Sequence, residues 1–282
     1  MTQRRDRFPA FGLMLHDMGN SYFSFKQFTV SQARSAMRVG TDGVLLGAWC
    51  DLGFSTEIMV AEGAEQTPWR ILDVGTGTGV IALMAAQRVQ HAQVDAVEPD
   101  EGSCQDAAQN FAGSPWSGRL RLYRTTLQEY VALVRGTVLY DRIVSNPPYF
   151  VDALKCPDNQ RCMARHTSEL SYELLFGHSA HFLSERGSIS IIIPAEVEKT
   201  VVDTAWKYNF HPHRRLYVFT KPGKPCRRVL LTFGYQDVPC IEDSLYIEGE
   251  KHGQFTPEYI ALLKRALMGQ AIREPSRQVP AA

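Results

Sequence analysis

Short apolar runs alternate with amphipathic stretches along most of the chain. Residues 71–74 (Ile-Leu-Asp-Val) carry a buried-strand pattern that Gly75, Gly77 and Gly79 break. The Ala, Leu, Met and Gln of residues 80–88 then favour a helix. Residues 94–97 give the next strand, closed by Glu98 and Pro99. Asp100 can cap a helix whose Cys104, Ala107, Ala108 and Phe111 recur on one face at helical spacing. Three more strands fall at 120–123, 140–144 and 188–193, with a helix over 172–183 between the last two. Strands separated by helices at this spacing predict a parallel, doubly wound sheet. Farther on, residues 215–219 and 228–233 are two β-rich runs separated by Pro222, Gly223 and Pro225. A loop that short permits a hairpin but no helical crossover. Thr256, Pro257 and Glu258 start a last helix with Tyr259, Leu262, Leu263 and Leu267 along one side and Gly269 as its stop. The pattern predicts an α/β fold: a mostly parallel, seven-stranded sheet with an antiparallel edge.

The flanks read differently. Residues 1–20 mix charge, Pro, Gly and Asn without periodicity, as a flexible arm would, and residues 269–282 read as a tail. Residues 51–69 read as a helix end or connecting segment. One domain over residues 21–268 is therefore expected. With 44% hydrophobic residues and 30 basic against 30 acidic side chains, the composition excludes a disordered chain. No run approaches the roughly 20 apolar residues that span a bilayer. Arg4 and Arg5 precede an apolar stretch, but His16 and Asp17 end it and no small-residue cleavage site follows, so an export signal is rejected. A cytoplasmic protein is expected. Cys156, Cys162 and His166 are too widely spaced for a zinc knuckle and lack a fourth ligand, so no metal site is expected.

The glycine loop is the first feature with chemistry. Asp73 precedes Gly75-Thr76-Gly77-Thr78-Gly79, between a strand and a helix. Glycines there allow a tight turn and let a ligand approach the backbone. A bare βα turn without ligand and a dinucleotide site are the competing readings. Dinucleotide folds use G-x-G-x-x-G before an open helix N-terminus that receives pyrophosphate. Here the spacing is G-x-G-x-G, and Asp73 would repel a phosphate. It would suit the ammonium end of S-adenosylmethionine, which carries no phosphate. Glu98, at the end of the next strand, can accept hydrogen bonds from both ribose hydroxyls.

The second feature closes the fourth strand: Asn146-Pro147-Pro148-Tyr149. Two prolines cannot continue a central strand, so the chain leaves the sheet at its C-terminal edge, where open α/β folds bind ligands. The Asn146 side-chain oxygen and the Pro147 carbonyl can both accept from a planar amine, drawing its lone pair out of conjugation. Tyr149 offers a face for a base to stack on. Such catalysis rests on positioning rather than on a strong base. A rigid proline turn without chemistry is the plain alternative.

Together the two motifs resemble the amino-methyltransferases that use S-adenosylmethionine and act on adenine N6, cytosine N4 or protein glutamine. Residues 23–28 (Phe-Ser-Phe-Lys-Gln-Phe), 37–49, 164–167, 221–225 and 253–259 narrow the match, being similar to the bacterial tRNA(Val) adenine-37 N6-methyltransferases. The likeness covers about residues 21–268. It implies a Rossmann-like class I fold and methyl transfer to the N6 amine of adenosine 37, beside the anticodon of tRNA(Val). It also implies that Lys26, Gln27, Thr41 and Asp42, from an extension over residues 21–69, complete the donor pocket. On residue type alone, Thr41-Asp42-Gly43 reads equally well as a turn or helix cap. Relatives often place an Asp after the third strand, near the donor's adenine. This chain has Thr125-Thr126-Leu127, so Thr126 is expected to make a weaker hydrogen bond there than a carboxylate would.

Charge then suggests the partner. Between residues 207 and 228 lie seven basic side chains and no acid: Lys207, Arg214, Arg215, Lys221, Lys224, Arg227 and Arg228, interleaved with aromatics. Such a run suits a phosphate backbone and unstacked bases. The alternative is a solvated sheet edge blunted by Lys and Pro. Arg161, Arg165 and His166 form a second basic group close behind the acceptor motif. A target adenine must be single-stranded or flipped out, and a loop base beside an anticodon satisfies this cheaply. Two other functions compete: a protein-glutamine methyltransferase acting on release factors, and a non-catalytic RNA-binding module. The first would have a helical N-terminal domain, whereas residues 23–28 have β character. The second is motivated only by Thr126.

Overall fold

The structure, a computed structural model, describes residues 21–53, 69–134, 136–148, 170–251 and 253–268. A small hairpin, β1 (Tyr22–Ser24) and β2 (Thr29–Ser31), leads into helix α1 (Thr41–Trp49). The alternating part follows as β3 (Trp69–Val74), α2 (Val80–Arg88), β4 (Ala92–Glu98), α3 (Glu101–Ala112), β5 (Leu120–Arg124), α4 (Leu127–Val134) and β6 (Tyr140–Ser145). Then come α5 (Tyr172–Ser179), β7 (Leu183–Pro194), α6 (Glu198–Trp206), β8 (His211–Phe219), β9 (Cys226–Gly234), β10 (Ile241–Tyr246) and α7 (Pro257–Met268).

Strands β3 to β10 form one sheet in the order β10-β8-β9-β7-β6-β3-β4-β5. All seven anticipated strands are present. Only β9 runs against the rest, between β7 and β8. An eighth strand, β10, extends the edge beyond β8 and pairs parallel to it. Its pattern eluded the sequence because only Leu245 of its six residues is buried. The two sides of the sheet carry separate cores. One gathers Leu45, Leu46, Leu83, Phe111 and Leu263 from α1, α2, α3 and α7. The other gathers Tyr130, Phe176, Val201 and Phe233 beneath α4, α5 and α6. Among the described residues, no helix is long and apolar enough to cross a membrane.

Helix α3 begins where Asp100 predicted, with the Asp100 carboxylate accepting from the Ser103 amide at 2.7 Å. Cys104, Ala107 and Phe111 are buried as expected, but Ala108 is exposed. The helix has instead a second buried stripe, Asp106 and Asn110, which with Gly102 follows the i, i+4, i+8 spacing. This stripe grips the segment after β2. Arg34 and Ser35 donate both backbone amides to Asp106 Oδ2 at 2.8 Å, and the Ser35 hydroxyl adds a third bond at 2.9 Å. At Gly102 the Arg34 carbonyl comes so close that a Cβ would lie 2.6 Å from its oxygen. Asn110 accepts from the Ser31 amide at 2.6 Å and donates to the carbonyls of Ser31 and Thr78 at 2.9 and 2.8 Å. The N-terminal segment is thereby tied to the glycine loop through Asn110.

Candidate active site

Three parallel strands bring the candidate residues to one level. Val74 of β3 pairs with Val97 of β4 on one side and with Ser145 of β6 on the other. One residue beyond each, Gly75, Glu98 and Asn146 therefore emerge side by side at the C-terminal rim. The Ser145 hydroxyl donates to the Val74 carbonyl at 2.8 Å and fixes that level. Gly75, Gly77 and Gly79 have φ of +70°, +56° and +82°, a region that side-chain-bearing residues rarely adopt. The loop folds back over β4, with the amides of Gly75 and Thr76 donating to the Val97 carbonyl at 2.9 and 3.1 Å. A Cβ at Gly77 would meet nothing within 4 Å, so the loop keeps open space in front of its backbone.

Glu98 is buried behind this loop. Its Oε2 accepts from the Gly77 amide at 2.9 Å and its Oε1 from the Asp100 amide at 3.0 Å. A carboxylate oxygen can accept twice, so each keeps capacity for a hydroxyl donor. Burial raises the Glu98 pKa, opposed by those two amides. Asp73 is completely buried. Its Oδ2 accepts from the Thr76 hydroxyl at 2.6 Å and the Ala82 amide at 3.0 Å, while Oδ1 has no partner among the described residues. Desolvation pushes the Asp73 carboxyl up to about 7; the bonds from Thr76 and Ala82 oppose the rise, and the negative Glu98 adds to it. A buried oxygen without a donor is costly unless a ligand supplies one. An ammonium group beside it would do so. Together with the open space at Gly77, this fits a donor with a cationic amino-acid end and a ribose.

At the acceptor end, Asn146 is half-buried, Pro147 buried and Pro148 exposed. Tyr149, Arg161, Arg165 and His166 lie outside the described residues. From the N-terminal region, Thr41 and Asp42 open α1 beside the exit of the glycine loop, where a Cβ on Gly43 would sit 3.4 Å from Val80 Cγ1. Lys26 and Gln27 occupy the exposed tip of the β1–β2 hairpin. That tip is anchored by Phe28 edge-on to Trp116 (ring centroids 5.6 Å apart), past the end of α3 remote from Asp100. Thr126 is half-buried at the head of α4. It forms a reciprocal cap there: its amide donates to Glu129 Oε2 at 3.0 Å, and its hydroxyl accepts from the Glu129 amide at 3.3 Å. The T-x-x-E spacing of such a cap was readable in the sequence. It places a carboxylate, Glu129, beside Thr126. Bonds from Thr126 and Thr125 hold the Glu129 pKa below its ordinary value.

Comparison with known proteins decides the family. The methyltransferase small domain matches residues 46–202. A tRNA1(Val) (adenine(37)-N6)-methyltransferase of Phocaeicola vulgatus is 44% identical over 247 residues, covering 88% of this chain and 97% of the relative. One from Bacteroides thetaiotaomicron is 43% identical over 248 residues, with the same coverage of both chains. The chain belongs to this family. Among solved structures, one described as a predicted O-methyltransferase from Agrobacterium tumefaciens shares the fold, at a TM-score of 0.58 and 16% identity, over 80% of this chain and 97% of that one. The protein is thus a methyltransferase of Rossmann-like architecture.

For a tRNA methyltransferase the basic stretch matters, and the structure divides it. Lys207 pairs with Glu173 at 2.9 Å. Arg215 pairs with Glu198 at 2.9 Å and also with Glu242. Arg214 lies over the Trp49 ring, 4.9 Å from its centroid, and Arg228 Nε donates to Asp42 Oδ2 at 2.8 Å. Lys207 stays exposed beside its partner; the other solvent-facing members are Lys224 and the half-exposed Lys221 in the turn between β8 and β9, with Arg227 just past it on β9. Because β8 runs parallel to β3 and β6, this turn stands on the same rim as Asn146.

Proposed function

We propose that this protein transfers a methyl group from S-adenosylmethionine to the N6 amine of adenosine 37, next to the anticodon of tRNA(Val), in the cytoplasm. One observation carries the reading: the sheet register sets the glycine loop, the Glu98 carboxylate and Asn146 at one level of one rim, with an unpartnered buried oxygen of Asp73 behind the loop. When bound, S-adenosylmethionine supplies an electrophilic methyl carbon. Glu98 would hold its ribose hydroxyls and Asp73 its ammonium. Thr41, Asp42 and the Thr126–Glu129 cap flank the same rim.

The chemistry asked of the chain's own residues is modest. Asn146 Oδ1 and the Pro147 carbonyl accept the two N–H bonds of the adenine amine, which turns its lone pair outward. Two consecutive prolines hold that loop stiff, so little orientation is lost at the moment of reaction. The amine sheds its extra proton to water after attack, so no buried base is needed. Lys221, Lys224 and Arg227 supply phosphate contacts, joined by Arg161, Arg165 and His166 from the segment after the acceptor motif, and Tyr149, which closes that motif, offers the base a face to stack on.

Purified protein given labelled donor and tRNA should label the tRNA alone. Label appearing in a release factor instead would assign the glutamine reaction and reject this one. Asn146→Ala should lower kcat by about 100-fold or more, the scale seen when one positioned hydrogen-bonding group is deleted. Its donor affinity should change less than about threefold. Full activity in that variant would remove Asn146 from the mechanism.

A further inference from the structure

The Asp42–Arg228 pair joins parts of the chain that the functional reading assigns to different ligands. Asp42 lies in the first turn of α1, beside Val80 where the glycine loop becomes α2. Arg228 is the first residue of β9 to pair with β7, opposite Pro194. It directly follows Arg227 on β9, just past the turn that carries Lys221 and Lys224. The bond between them, Arg228 Nε to Asp42 Oδ2 at 2.8 Å, spans 186 positions of sequence. Both side chains are mostly shielded, at 30% and 22% exposure, so solvent and salt weaken the pair less than a surface one. At the opposite end of α1, Arg214 of β8 stacks on Trp49. The same hairpin therefore grips α1 at both ends, and residues 43–50 between them are buried.

We infer that Arg228 is a positioning residue that couples tRNA binding at the β8–β9 turn to donor binding at the glycine loop, through Asp42 and α1. The inference rests on the proposed methyl transfer to tRNA. It reassigns Arg228 from phosphate contact to linkage. Phosphates drawn to Lys224 and Arg227 settle the turn from which Arg228 emerges. Arg228 then holds the first turn of α1 in place against Val80 and the loop. A donor bound at the loop favours the same arrangement of α1. Linkage makes the effect reciprocal: each ligand tightens the other by the same factor.

The test measures the Kd of unmodified tRNA with and without saturating S-adenosylhomocysteine, and the Kd of S-adenosylhomocysteine with and without tRNA. In the unaltered protein each ligand should tighten the other about 5-fold or more, the lower end of usual coupling. Arg228→Gln should bring that factor close to one while changing donor-free tRNA affinity less than about threefold. Adding Asp42→Asn to Arg228→Gln should lower the coupling no further. Arg228→Lys, which keeps the charge and serves if the Gln variant folds poorly, should retain part of it. Coupling that survives Arg228→Gln overturns the inference, as do losses from Asp42→Asn and Arg228→Gln that multiply. A tenfold loss of donor-free tRNA affinity in Arg228→Gln would return the side chain to phosphate binding. Should the unaltered protein bind neither ligand, the functional reading itself fails. Should it methylate tRNA without any coupling, only this inference does.

Discussion

Two buried aspartates lie 33 residues apart, one behind the glycine loop and one on helix α3, and the fold treats them oppositely. Neither Asp73 nor Asp106 has any exposed surface. Asp106 receives two amides, a hydroxyl and the Arg34 guanidinium, the last at 3.2 Å from Oδ1. Burial works to raise its pKa, but the donors from Arg34 and Ser35 outweigh it and keep the carboxyl below its ordinary value. Asp73 receives two donors on one oxygen and none on the other, and is pushed up to about 7. A carboxylate whose bonds are all internal fastens one segment to another. One left half-satisfied keeps room for a further donor. Burial does not tell these two acids apart; the number of donors each receives does.

The largest test of this contrast is Asp106→Ala. Losing the carboxylate strands the amides of Arg34 and Ser35 and the Ser35 hydroxyl, and stability should fall by about 3–5 kcal/mol, at about 1–3 kcal/mol for each donor left without its acceptor. Urea unfolding measures it, and faster amide exchange at Arg34 and Ser35 should accompany the loss. A drop below about 1 kcal/mol would make the stripe on α3 ornamental.

Next in size is the pH dependence set by Asp73. Its folded-state pKa lies above its ordinary value of 3.8, so the folded protein holds that proton more tightly. Its contribution is therefore fully present below about pH 4 and is lost as pH rises to about 7, by as much as about 4 kcal/mol. Asp106 has the opposite sign: its contribution stands above the unfolded value and is lost as pH falls through its depressed folded one. A donor ammonium at Asp73 needs the ionised form, so donor affinity should climb between pH 6 and 8 with proton release on binding. Asp73→Asn should flatten that climb and show no protonation change in calorimetry run in two buffers. A climb that persists in the variant would assign the titration to another group.

The smallest effect is expected from Thr76→Val, which removes one of the two donors to Asp73 while keeping side-chain volume. It should cost about 1 kcal/mol and move the midpoint of the pH dependence upward. Thr76 opposes the Asp73 shift more than any other group, so a midpoint moving downward would contradict the hydrogen bond.

How far the sequence revealed all this depended on the distance between interacting residues. Strands β3, β4, β6 and β7 were legible because buried strands of a parallel sheet are continuous apolar runs. The glycine loop and the Asn-Pro-Pro turn were legible because a few adjacent residues determine their backbone. Helix α1 gave no periodic signal because it is buried nearly all round and contains Gly43 and Gly47. The basic stretch misled by looking like one surface. Arg215, Arg214 and Arg228 meet Glu198, Trp49 and Asp42, which lie on α6 and α1. No local pattern announces such partners. Asn110 escaped for the same reason: it serves Ser31 and Thr78, 79 and 32 positions away.

Among the described residues, strand β10 has a neighbouring strand on one side only. An edge strand is a template for another extended chain, and Ile241 and Tyr246 stand exposed on this one. Asp243 and Glu242 stand exposed on that strand, so a second copy approaching in the same manner would set acid against acid. The border of the sheet is guarded by repulsion between like charges.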